Sequence, residues 1–489
     1  MLKGLKEQSN ITRTENGAVT YLSTGSHCLN LFSTIGAIRR ELDNKIIARF
    51  IKAFTENKDI ATKILFFSRD VRGGLGERRV FRVILRWLAK NEPETVIKNI
   101  PYISEYGRFD DLLSLIGTPC ESQALKYLKN QFDLDMRAME TLGEVSLLAK
   151  WLPSINTSNY KTVFMAKKVA KNFNMNYATY RKSLSKLRAY LQIIENNLRE
   201  KDYTFDYEKQ PSKALFKYRN AFIRNDEERY SEFLANVEKG KAKLNASTLA
   251  PYELIEPFMR NGYLRALCKK EKEALNATWN ALPNYCNNEN SLAVVDVSGS
   301  MYCTGKPVAA SVALSLGIYF AERNTGCFKD HFVIFSDRPK LLNLKGETFY
   351  DKLRYVSSFN DVANTNIEAV FDLILRAAVC NKVKQSELPS KIYLISDMEF
   401  DEAVENSELT NFENAKKKFE ENGYKLPTIV FWNVASRNAQ QPVTQNENGV
   451  VLVSGCTPKL FEMVASGSVN PFSFMMEVVE SERYKKIVA

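Results

Sequence analysis

From about residue 30 to about residue 280, apolar residues recur at intervals of three and four positions. This spacing puts them on one face of an α-helix, and the Gly, Pro and Asn residues between the segments end helices. Examples are LFSTIGAIRRELDNKIIARFIKAFTE, ERRVFRVILRWLAKNEPETVIKNI and YATYRKSLSKLRAYLQIIENNL. Few segments have the alternation of a strand, so the pattern predicts a solenoid-like array of paired helices.

At about residue 285 the pattern changes to short, β-rich runs such as SLAVVDVS, DHFVIFS and SKIYLISDM, which alternate with helical segments. Buried strands alternating with helices predict a mostly parallel sheet with helices on both faces. The predicted fold class is therefore α + α/β. A helical repeat array over 1–285 precedes a doubly wound, Rossmann-like domain over 286–468, and a C-terminal helix over 469–489 docks back on the fold.

The composition is that of a globular protein of more than one domain, with 45% hydrophobic residues in a chain of 489. No uncharged apolar run is long enough to span a bilayer, and the first residues, MLKGLKEQSN, lack the apolar stretch of a signal peptide. We therefore expect a cytoplasmic monomer that does not contact membranes.

Cysteine and histidine usage argues against several kinds of chemistry. The eight cysteines form no CxxC pair, and the two histidines, His27 and His331, are far apart in the sequence. This pattern disfavours a disulfide framework, a zinc site and a Ser-His or Cys-His catalytic centre.

The positive charge is concentrated in the first part of the chain. Residues 1–290 carry 47 Lys and Arg against 33 Asp and Glu, whereas the remainder carries 21 against 24. The fifty residues between Glu144 and Glu195 contain no acidic residue and interleave aromatic with basic side chains. Basic groups neutralise phosphates and aromatic rings stack on unpaired bases, so this region predicts an RNA-binding surface. Its basic residues are Lys150, Lys161, Lys167, Lys168, Lys171, Arg181, Lys182, Lys186 and Arg188.

A second basic cluster surrounds a glycine-rich turn in FFSRDVRGGLGERRVF. It contributes Arg69, Arg72, Arg78 and Arg79 as further candidate RNA-binding residues. A glycine-rich turn that opens a helix can cradle a phosphate. A tight turn between two helices explains the same residues, because no strand precedes the turn.

The segment VDVSGSM follows the first predicted strand of the second part, and it places Asp296, Ser298 and Ser300 at alternate positions. Ligands of doubly wound sheets bind beyond the carboxyl ends of the strands, where Thr365 and Asp397 are also expected. Carboxylates and hydroxyls are hard oxygen ligands that suit Mg²⁺. The order and spacing of these five residues resemble the metal-ion-dependent adhesion site of von Willebrand factor A domains.

Other interpretations of VDVSGSM fit less well. A nucleophile elbow needs GxSxG and a His partner. A P-loop needs GxxxxGK followed by Ser or Thr, whereas Gly299 and Gly305 are one residue too far apart and Pro307 takes the Ser or Thr position. A metal-dependent hydrolase would need a general base, for which only Glu399 and Asp401 are close in sequence.

Several short motifs of the first part resemble, in this order, the TROVE module of Ro RNA-binding proteins. They are SRDVRGGLGERR, YGRFDDLL, AKWLPS, YRKSLSKLR, PSKALFKYRNAF and LAPYELI. The resemblance implies HEAT-like repeats closed into a ring by an A domain. It also implies binding of structured RNAs on the outer surface and of single-stranded RNA ends in the central hole, in RNA quality control or ribonucleoprotein scaffolding.

We therefore expect a non-enzymatic RNA-binding protein that also carries a Mg²⁺ site. The alternative is a protein-interaction or virion-associated scaffold, in which the metal binds an acidic residue of a partner protein and the basic half serves electrostatics only.

Overall fold

The amphipathic segments of the first part fold into helices that pack mainly on their neighbours in the sequence. A computed structural model describes residues 1, 5, 8–260, 263–286, 289–302, 305–335, 337–359, 364–403 and 408–489. The helices of the first part are α1 (His27–Phe32), α2 (Asp43–Glu56), α3 (Lys58–Arg69), α4 (Arg79–Asn91), α5 (Pro93–Tyr106), α6 (Phe109–Leu112), α7 (Glu121–Glu140), α8 (Leu148–Trp151), α9 (Tyr160–Asn172), α10 (Tyr177–Tyr190), α11 (Ile194–Glu200), α12 (Ser212–Asn225), α13 (Glu227–Glu238), α14 (Pro251–Ile255) and α15 (Lys269–Asn280).

Asparagine side chains set the beginnings of several of these helices. Asn57 accepts a hydrogen bond from the Ile60 N–H at the start of α3, Asn159 caps α9, and Asn176 caps α10. Each cap satisfies a backbone donor that has no partner within the helix. The Asn breaks that separate the amphipathic segments are therefore helix starts as well as helix ends.

Strands and helices alternate in the second part, as the sequence predicts. The strands are β5 (Ser291–Asp296), β6 (His331–Phe335), β7 (Lys340–Asn343), β8 (Lys391–Ser396), β9 (Thr428–Asn433) and β10 (Val450–Ser454). The helices are α16 (Ala309–Arg323), α17 (Phe349–Ser357), α18 (Ile367–Cys380), α19 (Asn411–Glu421), α20 (Lys459–Ser466) and α21 (Pro471–Val479).

These strands form one sheet in the order β10-β9-β8-β5-β6-β7, parallel except for the edge strand β7. The predicted fold class, a helical array followed by a doubly wound sheet, is confirmed.

Alternate residues of the sheet point into two separate cores. Along β5, Leu292 and Val294 pack in a cluster that also contains residues of α18 and α19. Ala293 and Val295 belong to the larger cluster, which includes α16, α20 and α21 and runs on into the helices of the first part. The two parts of the chain thus share one continuous hydrophobic core, and α16 lies at the junction, where it contacts both β5 and α14.

The N-terminal residues do not belong to the helical array, contrary to the predicted boundary. Strands β1 (Ile11–Arg13) and β2 (Val19–Tyr21) form a hairpin that bridges to Asp401, Thr410 and Gln441 in the second part. Three-residue strands carry too little alternation to be detected in the sequence, and their partners lie about 390 to 420 residues further along. The remaining strands, β3 (Met259–Arg260) and β4 (Tyr263–Leu264), form a short antiparallel ribbon.

Candidate functional site

Asp296 and Asp397 are brought to the same edge of the sheet by two neighbouring parallel strands. The β5–β8 register pairs Val295 with Ile395, so Asp296 lies level with Ser396. The Ser396 hydroxyl donates a hydrogen bond of 2.6 Å to Asp296 Oδ2, and Asp397 is the next residue. The two carboxylates are buried, with exposed fractions of 0% and 3% for the two residues.

The serines that follow β5 connect the two carboxylates. The Ser298 N–H donates to Asp296 Oδ1 at 2.8 Å, and the Ser298 and Ser300 hydroxyl oxygens are 3.2 Å apart. Ser300 in turn hydrogen-bonds to the Asp397 side chain. Four of the five predicted metal ligands therefore form one hydrogen-bonded group.

Thr365, the fifth predicted ligand, lies beside the loop that follows β8. Its backbone carbonyl accepts a hydrogen bond of 3.0 Å from the Asp401 N–H, and the residue is 2% exposed. The chain just before it, residues 360–363, lies outside the described residues.

The electrostatics of this group favour a bound cation. Burial, and to a smaller extent the charge of Asp397, raise the pKa of Asp296 to about 7 against the opposing hydrogen bonds from Ser298 and Ser396. Burial also raises the pKa of Asp397, although Arg437 and Ser300 oppose the shift. Two buried carboxylates that must both ionise repel each other, and a divalent ion between them would offset the cost.

The donor set fits a hard divalent cation. Asp296, Asp397 and the hydroxyls of Ser298, Ser300 and Thr365 would supply oxygen ligands, which Mg²⁺ prefers. Among the residues that the structure describes, no cluster of three or more His, Cys, Asp and Glu residues could hold a metal. The hydroxyls are therefore needed to complete any protein ligand set at this edge.

Glu399, a candidate general base in the sequence, has a structural role. Its carboxylate accepts hydrogen bonds from the Glu15 N–H at 2.9 Å, from Asn438 at 3.0 Å and from Gln440 at 2.8 Å. These three donors hold the N-terminal hairpin and the loop after β9 against the loop after β8. This arrangement gives the hydrolase interpretation no support from Glu399.

The predicted basic region forms an exposed face on α9 and α10. On α9, Tyr160, Phe164, Lys167 and Lys171 follow the i, i+4, i+7, i+11 spacing of one helix face, and all four are exposed. Tyr160 is 75% and Phe164 60% exposed. The other exposed candidates are Lys161, Arg181, Lys182 and Lys186.

The exposed cations of this face form no ion pairs with the carboxylates that the structure describes. Within the described part of the chain, no carboxylate lies within ion-pair distance of Lys161, Lys167, Lys171, Arg181, Lys182 or Lys186. The Lys167 ammonium instead lies 5.5 Å from the ring centre of Tyr177, which begins α10 and is 50% exposed. Positive charge and aromatic surface are therefore adjacent and open to solvent.

Three predicted RNA-binding residues of this region are engaged within the fold. Arg188 donates to the carbonyls of Ala149 and Leu152, both at 2.8 Å, and so holds α10 on α8. Lys168 forms an ion pair of 2.7 Å with Glu121. Lys150 is 3.9 Å from the carboxylate of Glu195.

The arginines around the glycine-rich turn are also mostly structural. Arg69 is 2% exposed and its guanidinium pairs with the buried Asp111 at 2.7 Å, so the prediction that it contacts RNA is corrected. Arg79 donates to the carbonyls of Arg39 and Glu41, each at 2.9 Å. Their positions follow from the packing of α3 and α4, which the sequence could not separate from a surface role.

Arg72 and Arg78 are exposed, as is Arg79, whereas Arg69 is buried. Arg72 donates to the Glu105 carbonyl at 2.7 Å. Burial lowers the pKa of Arg78, and the positive charges of Arg108 and Arg82 lower it further. The carboxylates of Asp110 and Asp111 oppose this shift, so Arg78 lies near both cations and anions.

The glycine-rich turn is a packing turn. The Asp70 carboxylate accepts hydrogen bonds from the N–H groups of Arg72 at 2.9 Å and Gly73 at 3.0 Å, so an internal anion occupies the donors that a phosphate would need. A Cβ at Gly74 would lie 2.1 Å from the Phe67 carbonyl oxygen. Of the two explanations of these glycines, the structure supports the tight turn.

Two family models together cover nearly the whole chain. Residues 14–131 and 122–292 match the model described as Domain of unknown function (DUF2828). The chain belongs to this family. Residues 290–486 match a second model, Domain of unknown function (DUF7788). The DUF2828 match therefore includes strand β2 of the N-terminal hairpin and the basic face, and the DUF7788 match includes all five predicted metal ligands.

Similar proteins occur in a giant virus and among solved structures. The chain is 29% identical over 510 residues to the uncharacterized protein L728 of Acanthamoeba polyphaga mimivirus, which covers 96% of this chain and 88% of that protein. The crystal structure of the Deinococcus radiodurans Ro (RSR) protein superposes with a TM-score of 0.48 and 12% identity, covering 94% of this chain and 100% of that chain.

Sequence reasoning missed one feature of the DUF2828 part. The Arg108 guanidinium lies 3.9 Å from the ring centre of Trp151, and Lys150 approaches the same ring at 5.9 Å. The charge of Arg108 also lowers the pKa of Arg78 in the second basic cluster. The Arg108 to Trp151 contact crosses 43 positions of sequence, and no local pattern signals it.

The helices also bear on membrane association. Across the described ranges, none of the helices is both long enough and apolar enough for a bilayer crossing.

Proposed function

We propose that the chain is a non-catalytic RNA-binding protein whose exposed α9–α10 face contacts the RNA. The observation that carries this proposal is the stripe of Tyr160, Phe164, Lys167 and Lys171 on one side of α9, which is exposed and whose lysines form no ion pair with any carboxylate that the structure describes. Lysines neutralise backbone phosphates, and exposed aromatic rings stack on bases. A face that only kept the protein in solution would not need large exposed rings between the lysines.

The same face favours unpaired RNA over a duplex. Stacking on Tyr160, Phe164 and Tyr177 requires a base whose face is free, which a regular helix does not offer. Single-stranded segments, loops or RNA ends are therefore the proposed substrates, and ribonucleoprotein scaffolding or RNA quality control is the proposed setting. The excess of positive charge in residues 1–290 would raise the association rate for any polyanion.

Binding of one fluorescent RNA, presented once single-stranded and once annealed to its complement, tests this proposal. Anisotropy titrations at several salt concentrations should show tighter binding of the single strand and a linear fall of log affinity with log salt concentration. Affinity that is absent, or that does not change with salt, would contradict the proposal. RNA that stays intact during long incubation with the protein and Mg²⁺ would support the non-catalytic assignment.

We also propose a Mg²⁺ adhesion site at Asp296, Ser298, Ser300, Thr365 and Asp397. The specific observation that favours it is the pair of buried carboxylates joined by serine hydroxyls. A divalent ion held by two carboxylates keeps positive charge, so it can accept an oxygen ligand from outside. In the alternative function, a protein-interaction or virion-associated scaffold, that ligand is an acidic side chain of a partner protein.

The variant Asp296→Ala separates the two functions. If the metal serves a protein partner, the variant loses a divalent-dependent partner and keeps RNA binding. Loss of RNA binding in a folded Asp296→Ala protein would instead couple the metal to RNA and contradict the assignment of RNA to the α9–α10 face alone.

A further inference from the structure

Arg437 lies between the proposed metal site and the N-terminal hairpin, and it contacts a carboxylate on each side. One guanidinium nitrogen is 3.2 Å from Asp397 Oδ2, and another is 2.9 Å from Glu15 Oε2. Arg437 belongs to the loop after β9, the strand next to β8 in the sheet. One cation of the protein therefore neutralises a proposed metal ligand and a residue of the hairpin at the same time.

We propose that the Arg437 guanidinium competes with the divalent ion for Asp397, and that Glu15 binds the guanidinium when the ion displaces it from Asp397. Arg437 would thus weaken metal binding, whereas Glu15 would strengthen it. This inference rests on the proposed metal site, and it adds two positioning residues that are not metal ligands.

The exposure of the three side chains makes this exchange possible. The side chain of Asp397 is 2% exposed, whereas those of Arg437 and Glu15 are 38% and 45% exposed. The guanidinium therefore reaches a buried carboxylate from the surface and can leave it without losing contact with water. The ion pair of Arg69 and Asp111 is the contrast, because its side chains are 2% and 0% exposed and neither can leave at low cost.

The charges determine the direction of the effect. Without metal, Arg437 offsets part of the repulsion between Asp296 and Asp397, so it stabilises the metal-free site. A divalent ion at Asp397 would then lie close to a second positive charge, which opposes its binding. Removing Arg437 destabilises the metal-free site and also removes the positive charge that repels the ion. Both changes favour the metal-bound state.

Glu15 is held in place to receive the guanidinium. Its other oxygen, Oε1, accepts a hydrogen bond of 2.9 Å from the Asn438 side chain, and its N–H donates to Glu399. Asn438 follows Arg437 directly, so the loop after β9 and the hairpin are fixed relative to each other at this point. When the Arg437 guanidinium leaves Asp397, it therefore keeps its ion pair with Glu15.

Titration of the full chain with Mn²⁺, with free Mn²⁺ followed by electron paramagnetic resonance, tests the inference. We expect Arg437→Ala to bind Mn²⁺ about tenfold more tightly than the parent, a size typical of one unit charge removed at the protein surface. Glu15→Gln should bind about threefold more weakly. The double variant should lie close to Arg437→Ala, because Glu15 acts mainly through its ion pair with Arg437.

Matched controls come from the same hairpin. Arg13 pairs with Glu402 across the hairpin and the loop after β8, and neither side chain contacts Asp397 among the hydrogen bonds that the structure describes. Arg13→Ala and Glu402→Gln should leave the Mn²⁺ affinity unchanged. Arg437→Gln keeps hydrogen-bonding groups without the charge, so it should bind Mn²⁺ as tightly as Arg437→Ala even if the alanine variant loosens the loop.

The outcomes separate this inference from the metal site on which it rests. If the parent binds no Mn²⁺, or Asp296→Ala binds it equally well, the proposed metal site is wrong, and so is the proposed role of Arg437. If the parent binds Mn²⁺ through Asp296 but Arg437→Gln and Arg437→Ala bind it no more tightly, the metal site stands and the competing role of Arg437 is overturned. A weakening by Glu15→Gln that persists undiminished in the double variant would also overturn the role of Arg437.

Discussion

Arg483 donates hydrogen bonds to both carboxylate oxygens of Asp70, a residue 413 positions earlier in the chain. The contact from Arg483 Nη2 to Asp70 Oδ1 is 2.7 Å, and the Tyr484 hydroxyl donates to Oδ2 at 3.0 Å. The Asp70 side chain is completely buried. This contact fastens the C-terminal segment to the glycine-rich turn after α3.

Replacing Asp70 should therefore destabilise the whole chain, and by an amount that depends on pH. Burial would raise the pKa of Asp70, but hydrogen bonds from Arg483, Gly73 and Arg72 outweigh it and lower the pKa below 3.8. A carboxylate with a lowered pKa stabilises the fold above its unfolded-state pKa, and this contribution disappears as the pH falls through the folded value. We expect Asp70→Asn to cost about 2 kcal/mol near neutral pH.

Thermal unfolding from about pH 7 to about pH 3 checks this prediction. The difference in Tm between parent and Asp70→Asn should stay constant down to about pH 4 and shrink below it. Asp133→Asn is the matched control, because Asp133 forms an exposed ion pair with Lys129 within one helix and should matter little at any pH. A difference that grows on acidification would contradict the assignment.

Arg69 should contribute to the stability of the fold and not to RNA binding. Arg69→Met removes one partner of a fully buried ion pair and leaves Asp111 with Arg82 alone. We expect a loss of about 3 kcal/mol in the free energy of unfolding, measured by urea denaturation. RNA affinity per folded molecule should not change, because the side chain does not reach the surface. A stable variant with weaker RNA binding would show that Arg69 becomes accessible.

Variants of the α9 stripe should separate charge from stacking. Lys167→Glu with Lys171→Glu should weaken RNA binding at least tenfold and should reduce the slope of log affinity against log salt by about 2. Tyr160→Ala with Phe164→Ala should weaken binding of single-stranded RNA, by about 1–3 kcal/mol per stacked base, with little change in slope.

The control for this face is a lysine elsewhere in the helical part. Lys269 is 91% exposed and belongs to α15, so Lys269→Glu changes the charge equally without altering the stripe. Equal losses for Lys269→Glu and for either stripe lysine replaced singly by Glu would mean that overall charge, and not this face, determines binding. Circular dichroism of each variant verifies that the helices remain folded.

Divalent cations should stabilise the parent and not its ligand variants. At a Mg²⁺ concentration about 100 times Kd, binding adds about 2.7 kcal/mol to the free energy of unfolding, seen as a rise in Tm. Asp296→Asn and Asp397→Asn should abolish this rise. In the absence of metal, Asp296→Asn should melt above the parent, because it removes one of two buried like charges. Asp401→Asn, in the loop after β8, should respond to Mg²⁺ like the parent.

Local patterns were sufficient to predict the fold class. The spacing of apolar residues from about 30 to 280 predicted helices, and each β-rich run after residue 285 became a strand of one sheet. The hairpin of Ile11–Arg13 and Val19–Tyr21 was missed because its strands are short and pair with chain that follows hundreds of residues later. The periodicity of apolar residues carries information only about residues a few positions apart.

The positions of Asp296 and Asp397 at one edge of the sheet could be predicted from the sequence. Parallel strands of one sheet end at the same edge. Asp296 and Asp397 follow the apolar residues of β5 and β8, so both could be assigned to that edge before their contacts were known. The competing cation could not be predicted, because Arg437 reaches Asp397 from a loop that local sequence leaves undefined. Which of the basic residues are exposed could not be predicted, because the sequence shows charge but not whether a side chain is buried.

The sequence by itself determined the helices, the strands, the placement of acidic and hydroxyl residues at strand ends and the excess of positive charge in the first part. These properties depend on residues a few positions apart. Only the tertiary structure decided that Arg69 and Arg188 hold helices together while Lys167 and Lys171 face solvent, and that Arg437 lies between Asp397 and Glu15. Burial and ion pairing depend on which distant segments pack together, and that follows from the whole core.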